Sequence, residues 1–278
     1  MDGINWVFGD LFDPAALDRA LAAARAVIHL VGIIRQNPGR GITFQRLHVE
    51  GTQAVLAAAR RNGVKRIIHM SALGARADAR SEYHLTKYQA EQAVRESGLE
   101  WTILQPSMIH GPGGEFMRME FAWARGKAMP FFFMPYFGSG LLGRWGGGRI
   151  QPVYVEEVAR AFVEAVDNPR TTGHSYPMGG TEQLTWPQMH RVVAEALLGR
   201  RRPVMALPVW YASLLTRIVP PGLLPFNRDQ IIMSQEQNIC DVSGFVQDFG
   251  WTPEGFSTSL ARYVRGSDDP PADRSGPA

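Results

Sequence analysis

Residues 65–96 read KRIIHMSALGARADARSEYHLTKYQAEQAVRE, and this stretch decides the fold. It opens on a short apolar run at 65–70, the length of a strand. After a turn-rich interval it continues as a helical segment over 81–96, with Gly98 beyond as a stop signal. Another apolar run at 101–105 (WTILQ) follows and is halted by Pro106. Strand, helix and strand in this rhythm are the unit from which parallel sheets are built. The same helix carries chemistry. Tyr83 and Lys87 stand one turn apart, so their side chains share a face. With seven tyrosines and only three lysines (65, 87 and 127) in 278 residues, chance would supply such a pair roughly 0.08 times. A phenol beside an ammonium can move a proton to or from a carbonyl oxygen.

Working outward, the alternation holds upstream. Residues 4–8 read as a short strand ended by Gly9-Asp10. Asp13 as cap and Pro14 in the first turn open a helix to about Ala24. Residues 26–31 (AVIHLV) read as a strand buried on both faces, and 43–62 as a long Ala-rich helix closed by Gly63. Downstream of Gly111 the rhythm changes. Helices are expected at 115–125, 155–167, 186–198, 208–219 and 256–264, with a strand at 174–178. The pattern predicts an α/β fold with a parallel sheet. Its organisation is a parallel-sheet core at 1–112, a mixed region at 113–265 that completes the sheet and forms a substrate lobe, and a disordered tail at 266–278.

Composition narrows the function classes. A hydrophobic fraction of 45% and a charged fraction of 20% are those of a globular protein with a sizeable core. Net charge is +3, and the arginines read as scattered among acids, which argues against a nucleic-acid partner. Arg200-Arg201-Arg202 reads as a helix C-terminal flank. Cys240 is the only cysteine, so no intrachain disulfide forms, and a reducing, cytoplasmic setting is expected. No His, Asp or Glu cluster has metal-ligand spacing, so no metal is expected. No apolar run reaches the roughly 18 to 20 residues of a spanning helix. Two stretches, 128–142 and 203–226, are nearly free of charge but broken by prolines and glycines. They fit a membrane surface, an apolar substrate or the core.

Two glycine clusters invite a phosphate-loop reading. Gly138-Ser139-Gly140-Leu141-Leu142-Gly143 matches G-x-G-x-x-G, but the following Arg144-Trp145-Gly146-Gly147-Gly148 cannot open the helix that such a loop needs. A flap beside the site is the expectation there. Gly111-Pro112-Gly113-Gly114 also fails as a phosphate loop. It does lie just past a strand, at the carboxyl edge where open α/β sheets bind ligands.

Several segments in order resemble the extended and atypical short-chain dehydrogenase/reductases, of the NAD-dependent epimerase/dehydratase kind. They are Gly9-Asp10-Leu11, Val27-Ile28-His29-Leu30-Val31-Gly32, His48-Val49-Glu50-Gly51-Thr52, Val64 through Ala72, Tyr83-x-x-x-Lys87, Gln105-Pro106-Ser107-Met108-Ile109-His110-Gly111-Pro112 and Gln151 through Ala159. The branch they look closest to includes the NAD(P)H-binding accessory subunit of respiratory complex I. The resemblance implies a Rossmann-like sheet and NAD or NADP as cofactor. It implies that Asp10 and Leu11 border the adenine and that Leu30, Val31 and Gly32 line the cofactor. It makes Tyr83 the general acid/base, with Lys87 holding the nicotinamide ribose and lowering the Tyr83 pKa. Ser71 would orient the substrate oxygen, and Pro106, Ser107 and Met108 would contact the nicotinamide end.

Three departures stand out. Family members open on a strand and a G-x-x-G-x-x-G turn, whereas this sequence starts at about the third strand, so the implied sheet lacks its first strands. His48 stands where many relatives have asparagine. Met70-Ser71-Ala72 offers one hydroxyl where many relatives have two or three. Blander roles also fit single residues: Lys87 paired with Glu91, Ser71 as a cap, and His29 and His69 as satisfied core histidines. Three readings follow. One is an oxidoreductase or isomerase acting on a carbonyl or alcohol of an apolar small molecule. Another is a non-catalytic NAD(P)H-binding accessory or assembly protein, peripheral at the membrane beside a membrane-complex partner. The last is a truncated product unable to bind the dinucleotide.

Overall fold

A computed structural model describes residues 3–143, 147–219, 224 and 226–264. The tail expected to be disordered, at 266–278, lies outside the described residues, as does 144–146. In chain order the elements are α1 (Pro14–Leu21), β1 (Ala26–His29), α2 (Gly51–Arg61), β2 (Arg66–Met70), α3 (Glu82–Arg95), β3 (Glu100–Pro106), β4 (Ile109–His110), α4 (Glu115–Ala124), β5 (Met134–Gly138), β6 (Arg149–Ile150) and β7 (Val153–Tyr154). They continue with α5 (Val155–Asp167), β8 (His174–Met178), β9 (Leu184–Thr185), α6 (Trp186–Leu198), β10 (Val204–Pro208), α7 (Val209–Ile218), α8 (Arg228–Gln235), α9 (Ser243–Phe249) and α10 (Phe256–Val264).

The chain forms two compact units. The first comprises Met1–Pro106, Ala159–Met178 and Val242–Trp251. Its sheet has the order β1-β2-β3-β8, every pair parallel, so the α/β, Rossmann-like expectation is met. His29 lies opposite His69, and Met70 opposite Leu104, which brings the carboxyl ends of β1, β2 and β3 to one edge. Beneath that edge Val27, Ile67 and Ile103 pack on Val55, Leu56 and Ala59 of α2 and Val94 of α3. Each such aliphatic side chain contributes about 1.5–3 kcal/mol by leaving water. The interior of this layer is what fixes the edge.

The second unit comprises Ser107–Val158, Gly179–Asp241 and Thr252–Ala278. Its core joins Met117 and Phe121 of α4, Met189 and Val193 of α6, and Phe256 and Leu260 of α10. Short pairs complete it: β5 parallel to β10, β4 parallel to β7, and β6 antiparallel to β9.

Most element boundaries fall near their expected places. Asp13 caps α1, accepting from the Ala15 N–H at 3.0 Å, and Gly63 and Gly98 take the positive φ of helix stops. Three expectations are corrected. Residues 4–8 form no strand and lie exposed, Phe8 at 87%. The helix expected from Thr43 begins with a π-helical stretch, Gln45–Glu50, before α2. The expected strand at 26–31 stops at His29, leaving Leu30 and Val31 beyond it.

Candidate active site

The edge of the first unit's sheet is built from backbone outward. Past β2 the chain stays zipped to β3: the Ser71 N–H donates to the Leu104 carbonyl (2.8 Å) and the Leu73 N–H to the Pro106 carbonyl (2.9 Å). This buries Ser71, whose Oγ has no hydrogen-bond partner, so it caps nothing. A buried hydroxyl left unpaired costs on the order of 1–3 kcal/mol, and a site meant for a polar ligand carries that cost.

Helix α3 opens at this edge. Ser81 Oγ accepts the His84 N–H at 3.2 Å and fixes the first turn. One turn on, Lys87 is 3% exposed, and its Nζ donates to the Met70 carbonyl at 3.0 Å. An ammonium carries three donors, so two N–H directions remain for a ligand. Burial lowers the Lys87 pKa to about 8, with the Glu91 carboxylate acting in the opposite sense. Glu91 is itself held by Arg95 (2.8 Å) and Gln105 (2.8 Å), so the expected pairing of Lys87 with Glu91 gives way to Met70.

The loop after β1 closes over this amine. A β-carbon at Gly32 would stand 2.9 Å from Lys87 Nζ and 3.6 Å from His48 Nε2. Only a residue without a side chain leaves Lys87 that room. His48 ties three segments together. Its Nδ1 meets Thr86 Oγ1 on α3 at 2.9 Å, and its Nε2 meets the Ile33 backbone at 3.1 Å. Burial, with the Lys87 charge adding to it, drives the His48 pKa down to about 3. The ring is therefore neutral at neutral pH. The same two causes put His29 at about 4.

Tyr83 packs on this group: its ring lies 5.4 Å from His48, 5.8 Å from Phe44 and 5.4 Å from His84. Burial raises its pKa to about 12, opposite to the lowering expected from Lys87. At neutral pH the phenol holds its proton. Tyr83 thus packs on His48, and His48 in turn lies beside the Lys87 charge. No role for His48 was legible in the sequence, because its partners Ile33 and Thr86 lie 15 and 38 residues away and no local spacing announces them. Of the two strand histidines, His29 is the satisfied core residue expected, bonding Thr52 Oγ1 at 3.1 Å, whereas neither nitrogen of the buried His69 finds a partner.

The other expected site residues are spread more widely. Leu30 and Val31 follow β1 and are exposed at 50% and 38%, giving an apolar lip beside Gly32. Asp10 turns inward to its own segment, its Oδ1 accepting the Phe12 N–H at 2.7 Å. Leu11 packs on Gly51 at the start of α2. Pro106 closes β3. Ser107 and Met108 belong to the second unit, where the Ser107 hydroxyl donates to Asn238 Oδ1 and the Met108 carbonyl accepts the Val153 N–H at 3.0 Å.

A family model described as NAD(P)H-binding matches residues 1–119. Among the chain's curated relatives is a ceramide reductase of Caulobacter vibrioides, 29% identical over 80% of this chain and 62% of that protein. A second is the mitochondrial NADH dehydrogenase [ubiquinone] 1 alpha subcomplex subunit 9 of Arabidopsis thaliana, 28% identical over 92% and 65%. The chain spans less than two thirds of the length of either. A UDP-glucose 4-epimerase of Thermotoga maritima shares the fold, with a TM-score of 0.68 at 20% identity over 92% of this chain and 82% of that one.

The residues at the sheet edge fit the ribose end of a nicotinamide dinucleotide. Lys87 has donors to spare, Ser71 Oγ is unpaired, and Gly32 leaves backbone open to close approach.

Proposed function

We propose that this chain binds NAD(P)H at the carboxyl edge of its parallel sheet and works as an oxidoreductase on a carbonyl or alcohol of an apolar small molecule. The observation that carries the reading is the buried Lys87 ammonium, committed to one carbonyl and poised under Gly32. Lys87 would hold the nicotinamide ribose, with Leu30, Val31 and Gly32 along the same rim. When bound, the nicotinamide supplies or accepts a hydride. The protein's own residues manage the proton. Tyr83 keeps its proton at neutral pH and would give it to a substrate oxygen; Ser71 Oγ would hold that oxygen. His48, neutral and anchored on both nitrogens, keeps the loop after β1 and helix α3 in register. Asp10 and Leu11 at the adenine, and Pro106, Ser107 and Met108 at the nicotinamide, complete the proposed set. An apolar substrate is supported by the likeness to a ceramide reductase.

The test follows oxidation of NADPH and NADH by the purified chain with an apolar aldehyde or a naphthoquinone, for wild type and Tyr83→Phe. Loss of the general acid should slow turnover about 10²-fold while nucleotide affinity stays unchanged. Equal turnover by the two proteins contradicts the role of Tyr83.

A second reading is favoured by the likeness to subunits of mitochondrial NADH dehydrogenase. In it the chain holds NAD(P)H as a structural group within a membrane complex. Nucleotide binding without turnover of any carbonyl, together with co-purification with such a complex, would select it.

A further inference from the structure

Helix α7 in the second unit is turned inside out. Its exposed positions are Trp210, Tyr211, Leu214, Arg217 and Ile218, with Ile218 at 69% and Trp210 at 53%. These fall at i, i+1, i+4, i+7 and i+8, one face of a helix. The opposite side carries Val209, Ala212, Ser213, Leu215 and Thr216, buried or half-buried. A surface helix of a globular protein places its apolar stripe inward; here the largest apolar side chains point out.

The face extends beyond α7. Trp210 Nε1 donates to the Leu141 carbonyl at 3.1 Å, which brings exposed Leu141 and Leu142 alongside. On β10, which leads into α7, Met205 is exposed, and β10 pairs with β5. Just before β5, Met129 and Phe132 are exposed, and Arg202 Nη2 donates to the neighbouring Phe131 carbonyl at 2.6 Å. Contiguous exposed apolar surface of this kind marks an interaction site.

The charges follow the same division. Residues 121–155 contain no Asp or Glu but include Arg125, Lys127, Arg144 and Arg149. Residues 196–228 contain none either but include Arg200, Arg201, Arg202, Arg217 and Arg228. Nine cations and no acid thus lie in the two segments that β5 and β10 join, in a protein of net charge only +3. The remainder of the chain is acidic. Along these two segments the cations are segregated, not scattered.

We propose that α7, with Leu141–Leu142 and the β5–β10 edge, docks the second unit onto an anionic lipid surface. Trp210 and Tyr211 would sit at headgroup level, where amphipathic rings are favoured. Leu214, Ile218, Leu141 and Leu142 would enter the acyl boundary, and the exposed Arg200 and Arg217 would meet the lipid phosphates. A protein partner would need its own acidic patch facing each cation; an anionic bilayer presents that charge everywhere. This inference does not depend on nucleotide binding.

The test is co-sedimentation of the whole chain with phosphatidylcholine vesicles, with or without roughly one third phosphatidylglycerol, at low and high salt. Binding to the anionic vesicles, weakened by salt, is expected. The double variant Leu214→Glu/Ile218→Glu should weaken it about tenfold or more. Arg217→Glu should weaken it while leaving the helix intact, and Val163→Glu, at an exposed position of α5, should not change it. Circular dichroism verifies folding of each variant. Absence of binding, binding indifferent to lipid charge, or self-association through positions 214 and 218 in place of vesicle binding would each overturn the proposal.

Discussion

Lys87 is held in a state that costs stability. Its amine is desolvated, its pKa lies near 8, and its hydrogen bond runs to the Met70 carbonyl. Replacing a buried charge by an apolar side chain of similar volume is often neutral or stabilising. Lys87→Met should therefore raise the urea-unfolding free energy at pH 7 by about 1 kcal/mol; a fall of similar size would show that the ammonium is structural. The histidines set the acid limit. His29 and His48 have folded pKa values of about 4 and about 3, below an unfolded value near 6.5. The unfolded chain therefore takes up protons first as pH falls. Their contribution is complete above about pH 6.5 and is lost on the way down to pH 4 and 3, on the order of 1–3 kcal/mol for each ring. Urea midpoints measured between pH 7.5 and 4 check this; a flat profile would mean the rings are not buried neutral. Tyr83 and Lys87 were legible in the sequence because one helix turn joins them. His48 as their neighbour, and the unpaired Ser71 Oγ, depend on chain segments far apart in sequence.

At the scale of elements, α3 shows how local code positions chemistry. Ser81 caps the turn that carries Tyr83, and the next turn carries Lys87. Ser81→Ala should cost about 1 kcal/mol of stability and weaken nucleotide binding along with it, which denaturation and titration of one preparation would reveal; unchanged stability would mean the cap is idle. Strands β2, β3 and β8 and helices α3, α5 and α6 were readable because period, caps and glycine stops agree. Residues 4–8 were misread for a physical reason. Alternating and apolar residues give strand propensity, but a strand exists only with a partner to bond, and these residues have none within the described sheet. The π-helical stretch before α2 has no sequence signature of its own, and α8 and α9 are too short and weakly patterned to stand out.

For the whole molecule, two units are built differently: one around a parallel sheet whose carboxyl edge gathers Lys87, His29 and His48, the other helix-rich, with α7 turning apolar residues outward. The layered α/β pattern was legible along 65–106, since each element there buries its own apolar face. The outward face of α7 was not, because periodicity gives the width of an apolar stripe and not its direction. The central claim is that the sheet edge around Lys87 receives the ribose of NAD(P)H. Isothermal titration of wild type and Lys87→Met with NADH and with NADPH tests it most directly. The account expects at least one nucleotide to bind wild type and to bind the folded variant about tenfold more weakly, as loss of a charge-assisted hydrogen bond implies. Equal affinity in both proteins, or no heat from either nucleotide with wild type, would contradict it.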